Sequence, residues 1–558
     1  MKTRVGLLVS LCCLLLCASS LPAASSDKKS GADEDPHQEL VIVPVQVRDK
    51  SDSVVHGLTL KDFTLQSDGK PLPLTSVSEI STDTAAAAST GALNQTTSAQ
   101  RFSNIPNGGM PRQLLIIALD FVNTAFLGKG EAQQQLFKYV LQGLPDQPFE
   151  LVAITPDGLV QIHSFTAPRS NTVEALQRIS AQPLDVSGKP GQAPSNDEYS
   201  RLSAIYRAKP VLGGYGWEIA ARATLISVRQ LADAYAAVPG RKSVIWLTAG
   251  IRSLGGDPTA TARQRGSVQF YVKSPLSRDP QLRADYDEAF RALNTADMAI
   301  YPVDLKPMKD VKIYVANFLP AAVMSNPNIY VPTLGPFETS DGIKPLAAET
   351  GGRTCSVASD LKACIDQALG DAGSYYLLRF NVPRKGEKSG WHKLEITTTS
   401  AGNTLRTRSR YFVPSQPSAG DADIRDYITE VAKSNLIYTG VGIIVERLPD
   451  SAPPAGDPIN LRIRVPAGSV ELQPGQQKLS YQIAMAGISS SGEPMKAVRV
   501  VEFDVHEDQT RDALTKGWRI NESLPKLDSM ASVRYVIRDT ATGKIGSITV
   551  PLQEASAK

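Results

Sequence analysis

QLLIIALD (113–120) is a near-continuous apolar run closed by one acid, the pattern of a strand buried on both faces of a parallel sheet. Amphipathic helices and further apolar strands follow it in alternation. KGEAQQQLFKYVLQGL (129–144) spaces its apolar residues at helical period. FELVAIT and LVQIHSF flank the turn Pro156-Asp157-Gly158 as a hairpin-like pair, and NTVEALQRIS (171–180) reads as a short helix. WEIAARATLISVRQLADAYAAV (217–238) is a long helix that stops at Pro239-Gly240 and feeds the strand KSVIWLTAG (242–250). A helix near 279–297 feeds MAIYPVDL (298–305), and DLKACIDQALGDA (360–372) feeds SYYLLRFNV (374–382). The alternation predicts an α/β unit over 112–372, a doubly wound, mostly parallel sheet with helices on both faces.

Strands without helices lie on either side of this unit. Residues 39–81 alternate apolar and polar positions around the turns KSDS and SDGK, and WHKLEITTTS with LRTRSRYFVP (391–414) forms a hairpin pair. Each flank has too few strands to stand alone, so 39–81 and 373–413 are expected to pair into one small sandwich. Residues 82–111 are rich in Ala, Ser, Thr, Asn and Gly and read as a flexible linker; 414–435 read as a linker and helix. The remainder, 436–558, reads as short strands divided by Pro, Gly and Asp turns, a C-terminal β-sandwich.

The amino terminus carries a targeting signal. Lys2 and Arg4 precede the apolar run VGLLVSLCCLLLC (5–17), and small residues follow, so 1–24 reads as a cleavable secretory signal peptide and 25–38 as a disordered leader. Lipid attachment at Cys17 is the rival reading, with Leu16 standing where lipoproteins have a small residue. No later stretch approaches roughly 20 uninterrupted apolar residues, so no transmembrane segment is expected after cleavage. The implied location is periplasmic or extracellular. Of five cysteines, only Cys355 and Cys364 remain after cleavage, and an oxidising compartment invites them to pair.

Length and charge bound the function. A chain of 558 residues exceeds one core and predicts three or four domains; 59 basic against 56 acidic residues offer no electrostatic reason to bind nucleic acid. No nucleotide-binding glycine loop and no GxSxG elbow are present. His37, His56, His163, His392 and His506 are scattered, without zinc-ligand spacing. Asp285 with Asp287, and Asp421 with Asp423, read as solvated helix faces, and Tyr375-Tyr376 as one core ring and one outward ring. No catalytic residue is assigned.

Several segments together resemble the von Willebrand factor A-type domain, specifically the von Willebrand A-related proteins common in acidobacteria. They are GLTLKDFTLQSDGKP (57–71), LLIIALDFVNT (114–124), VPGRKSVIWLTAG (238–250), AIYPVDL (299–305), and AAETGGRT followed by SYYLLRF (347–354, 374–380). The resemblance covers roughly 39–413. It implies a metal-ion-dependent adhesion site in which a DxSxS loop joins a distant Thr and Asp around Mg²⁺ or Mn²⁺, leaving one position for a partner's carboxylate. Carried over, Asp120 matches the first Asp, Thr124 the second hydroxyl and Thr224 the distant Thr. Val122 and Ala249 depart from the pattern, so two of five oxygens are missing and weak or partner-completed binding is the most a metal would show. The other reading is that Asp120 caps its loop through backbone amides and coordinates nothing. Alternation along the loop points Asn123 away from Asp120.

The resemblance implies an exported protein-binding or adhesion module whose partner is an unidentified protein or cell-envelope component. The alternative is an envelope-assembly or enzymatic protein in which the α/β unit is a scaffold for activity in the C-terminal domain.

Overall fold

The computed structural model describes residues 38–552 apart from 82–94, 106–112, 124–130, 182–197, 208–215, 249–263, 270–279, 306–345, 357–360, 384–389, 414–420, 449–457, 525–528 and a few shorter stretches. It is a mixed α/β protein with several sheets. The first pair of sheets brings the two flanks together. Strand β1 (Gln38–Arg48) runs antiparallel to β15 (Ser374–Pro383), from Gln38 opposite Pro383 to Val45 opposite Tyr376. Strands β4 (Ser76–Ser81) and β17 (Thr404–Arg406) complete that sheet. A second sheet orders β18 (Arg410–Val413), β16 (Gly390–Thr398), β2 (Phe63–Ser67) and β3 (Lys70–Pro71). One apolar cluster, including Val43, Phe63, Leu378, Phe380, Leu394 and Tyr411, fills the space shared by both. The chain therefore leaves this β unit at 81 and returns to it at 374.

Between those points lies the sheet that QLLIIALD opens. Its strands are β7 (Leu114–Asp120), β8 (Glu150–Thr155), β9 (Gly158–His163), β10 (Lys242–Thr248), β13 (Met298–Asp304) and β14 (Cys355–Ser356). The spatial order is β14-β13-β10-β7-β8-β9, parallel throughout except for the edge strand β9. A separate two-stranded ribbon joins β11 (Gln264–Arg265) to β12 (Val268–Gln269). Every residue of β7 is buried because its two faces feed two cores. Leu114, Ile116 and Ala118 pack with helices α4 (Gly216–Tyr235) and α5 (Pro280–Thr295) through Leu225, Val228, Phe290 and Leu293. Leu115, Ile117 and Leu119 pack with α1 (Glu131–Gly143), α2 (Arg169–Ala181) and α6 (Leu361–Gly373) through Phe137, Leu176 and Ile365. Each Leu, Ile, Val or Phe side chain among these, fully removed from water, contributes about 1.5–3 kcal/mol. Helix α3 (Glu198–Arg207), which the sequence reading did not separate, packs near β9.

The C-terminal part holds two sheets around a third cluster that includes Val445, Ile463, Ile483, Trp518, Tyr535 and Ile548. One is β22 (Pro494–Val505), β21 (Leu479–Ile488), β24 (Ser532–Asp539) and β25 (Ile545–Pro551). The other is β23 (Trp518–Leu524), β20 (Ile459–Val465), β19 (Ile444–Arg447), β6 (Arg101–Ser103) and β5 (Gln95–Ser98). The last two strands correct the expectation of a flexible linker over 82–111. Phe102 is buried in the C-terminal core. Asn104 donates to the Tyr438 and Val441 carbonyls at 2.9 Å each and accepts from the Ile443 N–H at 2.6 Å. Polar composition hid this strand, whose pairing into the C-terminal sheet is through the distant β19, Ser103 opposite Ile444. Residues 436–558 also contain a helix, α8 (Glu507–Lys516), acidic in its first turn and stopped by Gly517 at φ +78°.

Helix α7 (Asp421–Lys433) joins the C-terminal part to the α/β unit: its Tyr427, Ile428 and Val431, and Leu436 just beyond it, belong to the same buried cluster as Leu225 and Phe290. Tyr375 and Tyr376 are both buried, against the expectation of one outward ring. Tyr376 enters the β-unit core, and α6, which runs directly into β15, packs against that strand at its start. Among the described residues no helix is long and apolar enough to cross a membrane; the segment 1–37 lies outside them.

Candidate functional site: the buried Asp120 at the end of β7

Asp120 ends β7 at the carboxyl edge of the sheet and is 1% exposed. The β7–β10 register sets Leu119 opposite Leu247, which brings the next pair, Asp120 and Thr248, together. Oδ2 accepts from Thr248 Oγ1 at 2.8 Å, from Trp246 Nε1 at 3.2 Å and from Asn123 Nδ2 at 2.8 Å. Oδ1 accepts the backbone N–H groups of Val122 at 3.0 Å and Asn123 at 2.9 Å. Burial pushes this carboxyl above the ordinary carboxylate range, against the hydrogen bonds from Asn123, Thr248 and Trp246 that pull it down. The loop after β7 is thus an Asx-type turn tied to the neighbouring strand.

Thr224, on α4 and fully buried, faces the same point. Its Oγ1 accepts a second N–H of the same Asn123 amide nitrogen, Nδ2 at 2.9 Å. Asn123 therefore points toward Asp120, contrary to the expectation from alternation. The chain turns through bends at 121–123 in place of extended backbone, so period-two reasoning does not apply there. Asp120 and Thr224 are brought together as the resemblance implies, but an –NH₂ group stands between them. Thr124 and Ala249 lie outside the described residues.

This donor set decides how well Mg²⁺ or Mn²⁺ fits. A hard cation needs lone pairs on converging oxygens, and here N–H and O–H donors hold those of Asp120. Val122 brings no side-chain oxygen, and among the described residues no three His, Cys, Asp or Glu side chains converge on a point. The described residues do not fit a divalent ion.

Other candidates resolve into structural roles. Cys355 and Cys364 are joined by a disulfide with Cα atoms 6.0 Å apart, clamping β14 to α6. His163 is buried against Phe149 and contacts Glu198 at 3.1 Å; burial pushes its pKa down. His56, in the loop after β1, pairs with Glu79 of β4 at 2.6 Å, and His392 of β16 with Asp68, in the turn after β2, at 2.8 Å. Asp287 is more than a solvated face: it accepts the Trp391 indole N–H at 2.6 Å and fixes the β unit to α5. Side chains of Asp421 and Asp423, and the structure around His37, lie outside the described residues. A void beside Trp246, lined by Ala118, Ile154, Leu293 and Met298, is apolar and no larger than a water molecule.

Sequence reasoning missed Trp246 and Thr248 as partners of Asp120. A detectable signal existed: an indole N–H inside a strand buried on both faces must find an acceptor, and strand ends in adjacent parallel strands share a level. No family model matches the chain, and no curated protein matches it.

Proposed function

We propose that this chain is an exported, metal-independent protein-binding module of the von Willebrand A-related kind. In this reading 112–372 is a doubly wound A-type domain and the C-terminal part, completed by β5 and β6, is a β-sandwich. Numbered within the α/β unit, the strand order is 3-2-1-4-5-6, the order of the common doubly wound sheet. Its direction of winding reverses between β7 and β10, and ligands of such sheets bind beyond the carboxyl ends of the strands at that place. Asp120 sits there.

The observation that carries the proposal is the Asn123 carboxamide bridging Asp120 and Thr224. It closes the crevice with protein donors, so recognition falls to the surfaces of the carboxyl-end loops. The partner is then a protein or envelope component met over an area, with no cation between. The signal-like segment 1–24 supports an extracytoplasmic setting.

Photo-crosslinking in the native host tests this. A crosslinking side chain at Ile251 or Lys306, which follow β10 and β13, should capture one specific partner, and chelator should leave capture unchanged. Placed at Asp146 on the opposite end, before β8, it should capture none. Capture abolished by chelator, or arising only at Asp146, would reject the reading. Titrating Mg²⁺ into the purified chain should give no saturable heat.

A further inference from the structure

The strand edges of this molecule are unequally protected. The β9 edge is closed by Asn435, whose Oδ1 accepts the Gln161 N–H at 3.2 Å and whose Nδ2 donates to the Gln161 carbonyl at 3.3 Å. The β25 edge is closed by the segment 438–441: Ser547 N–H donates to the Tyr438 carbonyl at 2.9 Å and Val441 N–H to the Ile545 carbonyl at 3.2 Å. Strand β22 lies at the other edge of that same sheet, 12 residues long, and among the described residues it pairs on one side alone, with β21. Lys496, Ala497, Arg499, Val501, Glu502 and Asp504 are exposed along it. Long open edges recruit another strand.

We propose that β22 pairs antiparallel with β22 of a second copy, about a two-fold axis at Val500, to make one continuous eight-stranded sheet. The charge order along PMKAVRVVEFDV argues for this occupant: Lys496 and Arg499 occupy the first half, Glu502 and Asp504 the second. Antiparallel self-pairing brings unlike halves together, and only a two-fold partner presents the same strand reversed. With Val500 opposite itself, Lys496 of each copy faces Asp504 of the other, and Val501 of each covers Arg499's aliphatic stem. Asp504 already contacts Lys478 of β21 at 2.8 Å, so it would lie between two ammonium groups. Arg425 Nη2 reaches the Val500 carbonyl at 3.3 Å, a contact that the incoming backbone N–H would replace. The parallel shift to a like-charge register, with Arg499 opposite Arg499, places two guanidinium groups against each other and is disfavoured.

Sedimentation equilibrium of the mature chain, with Lys496→Glu, Asp504→Lys and the double variant, tests the proposal. Wild type should dimerise. Each single variant turns two symmetric attractions into repulsions and should weaken the dimer about tenfold or more, and the double variant should restore it. Amide hydrogen exchange on the wild type needs no variant: protection over 496–504 should rise with protein concentration. A monomer at every concentration, a dimer indifferent to both single variants, or exchange over 496–504 independent of concentration would overturn the proposal. Retention of the circular dichroism spectrum separates lost pairing from lost folding in the variants.

Discussion

Asp120 is held by donors on two elements, the β7 loop and β10, and Asn123 ties the same point to the Thr224 hydroxyl on α4. Asp120→Ala removes the carboxylate that accepts the Trp246 indole N–H, the Thr248 hydroxyl and two backbone N–H groups at a buried position. A loss of about 3–5 kcal/mol is expected in urea unfolding. Glu150, at the start of β8, is buried with the Tyr235 hydroxyl and Gln161 Nε2 on its oxygens, the latter at 2.9 Å. Burial pushes its pKa up to about 7, the two hydrogen bonds opposing. The folded state therefore keeps a proton that the unfolded state releases near its ordinary value of 4.5. Stability falls as pH rises through the window between these values and is flat on either side. Glu150→Gln should remove that slope, worth about 3 kcal/mol, in unfolding measured across the pH range. Neither effect is visible in sequence, where each residue is one acid at a strand end.

Elements bring their own requirements. Gly352, in the AAETGGRT segment, lies where a Cβ would meet the Ile300 carbonyl oxygen at 1.9 Å, so this motif glycine is a packing requirement of β13. Strand β6 is held by the three hydrogen bonds of Asn104, and Asn104→Ala should lower stability by about 2–3 kcal/mol and open 95–105 to protease; unchanged protection would count against the strand assignment. The disulfide closes a loop with sequence separation 9. Replacing both cysteines by Ala should cost on the order of 2–3 kcal/mol, read from denaturant midpoints with and without reductant. The periodicity of α4, α5 and the strands of the parallel sheet was legible in sequence because each buries its own apolar pattern. Helix α3 and strand β6 were not, since short elements draw their stability from distant partners.

At the scale of the molecule, one buried cluster runs from the parallel sheet through α4 and α7 into β21, β24 and β25, including Trp246, Leu225, Leu436, Ala484, Val536 and Ile545. The Arg534 guanidinium is buried and donates to the Leu436 carbonyl and to Ser547 Oγ, so charge and core meet at this junction. Leu436→Ala, at a fully buried position, should lower stability by about 2–5 kcal/mol. Calorimetry should show the α/β and C-terminal parts losing stability together. A C-terminal transition that shifts alone would mean the shared cluster does not couple them.

The alternation of apolar strands with amphipathic helices, the β character of the flanks and the acid closing β7 are properties of local sequence, because strand and helix periods write themselves into neighbouring residues. Asp120 and Thr224 were paired by the resemblance of their segments to the A-type motif, not by any local period. Tertiary structure alone decided what stands between them. The direction of Asn123 depends on a turn closed by Asp120, and the assignment of 101–103 to the C-terminal sheet depends on β19, far along the chain. Such pairings are set by which surfaces meet when the cores close, and no local period records that.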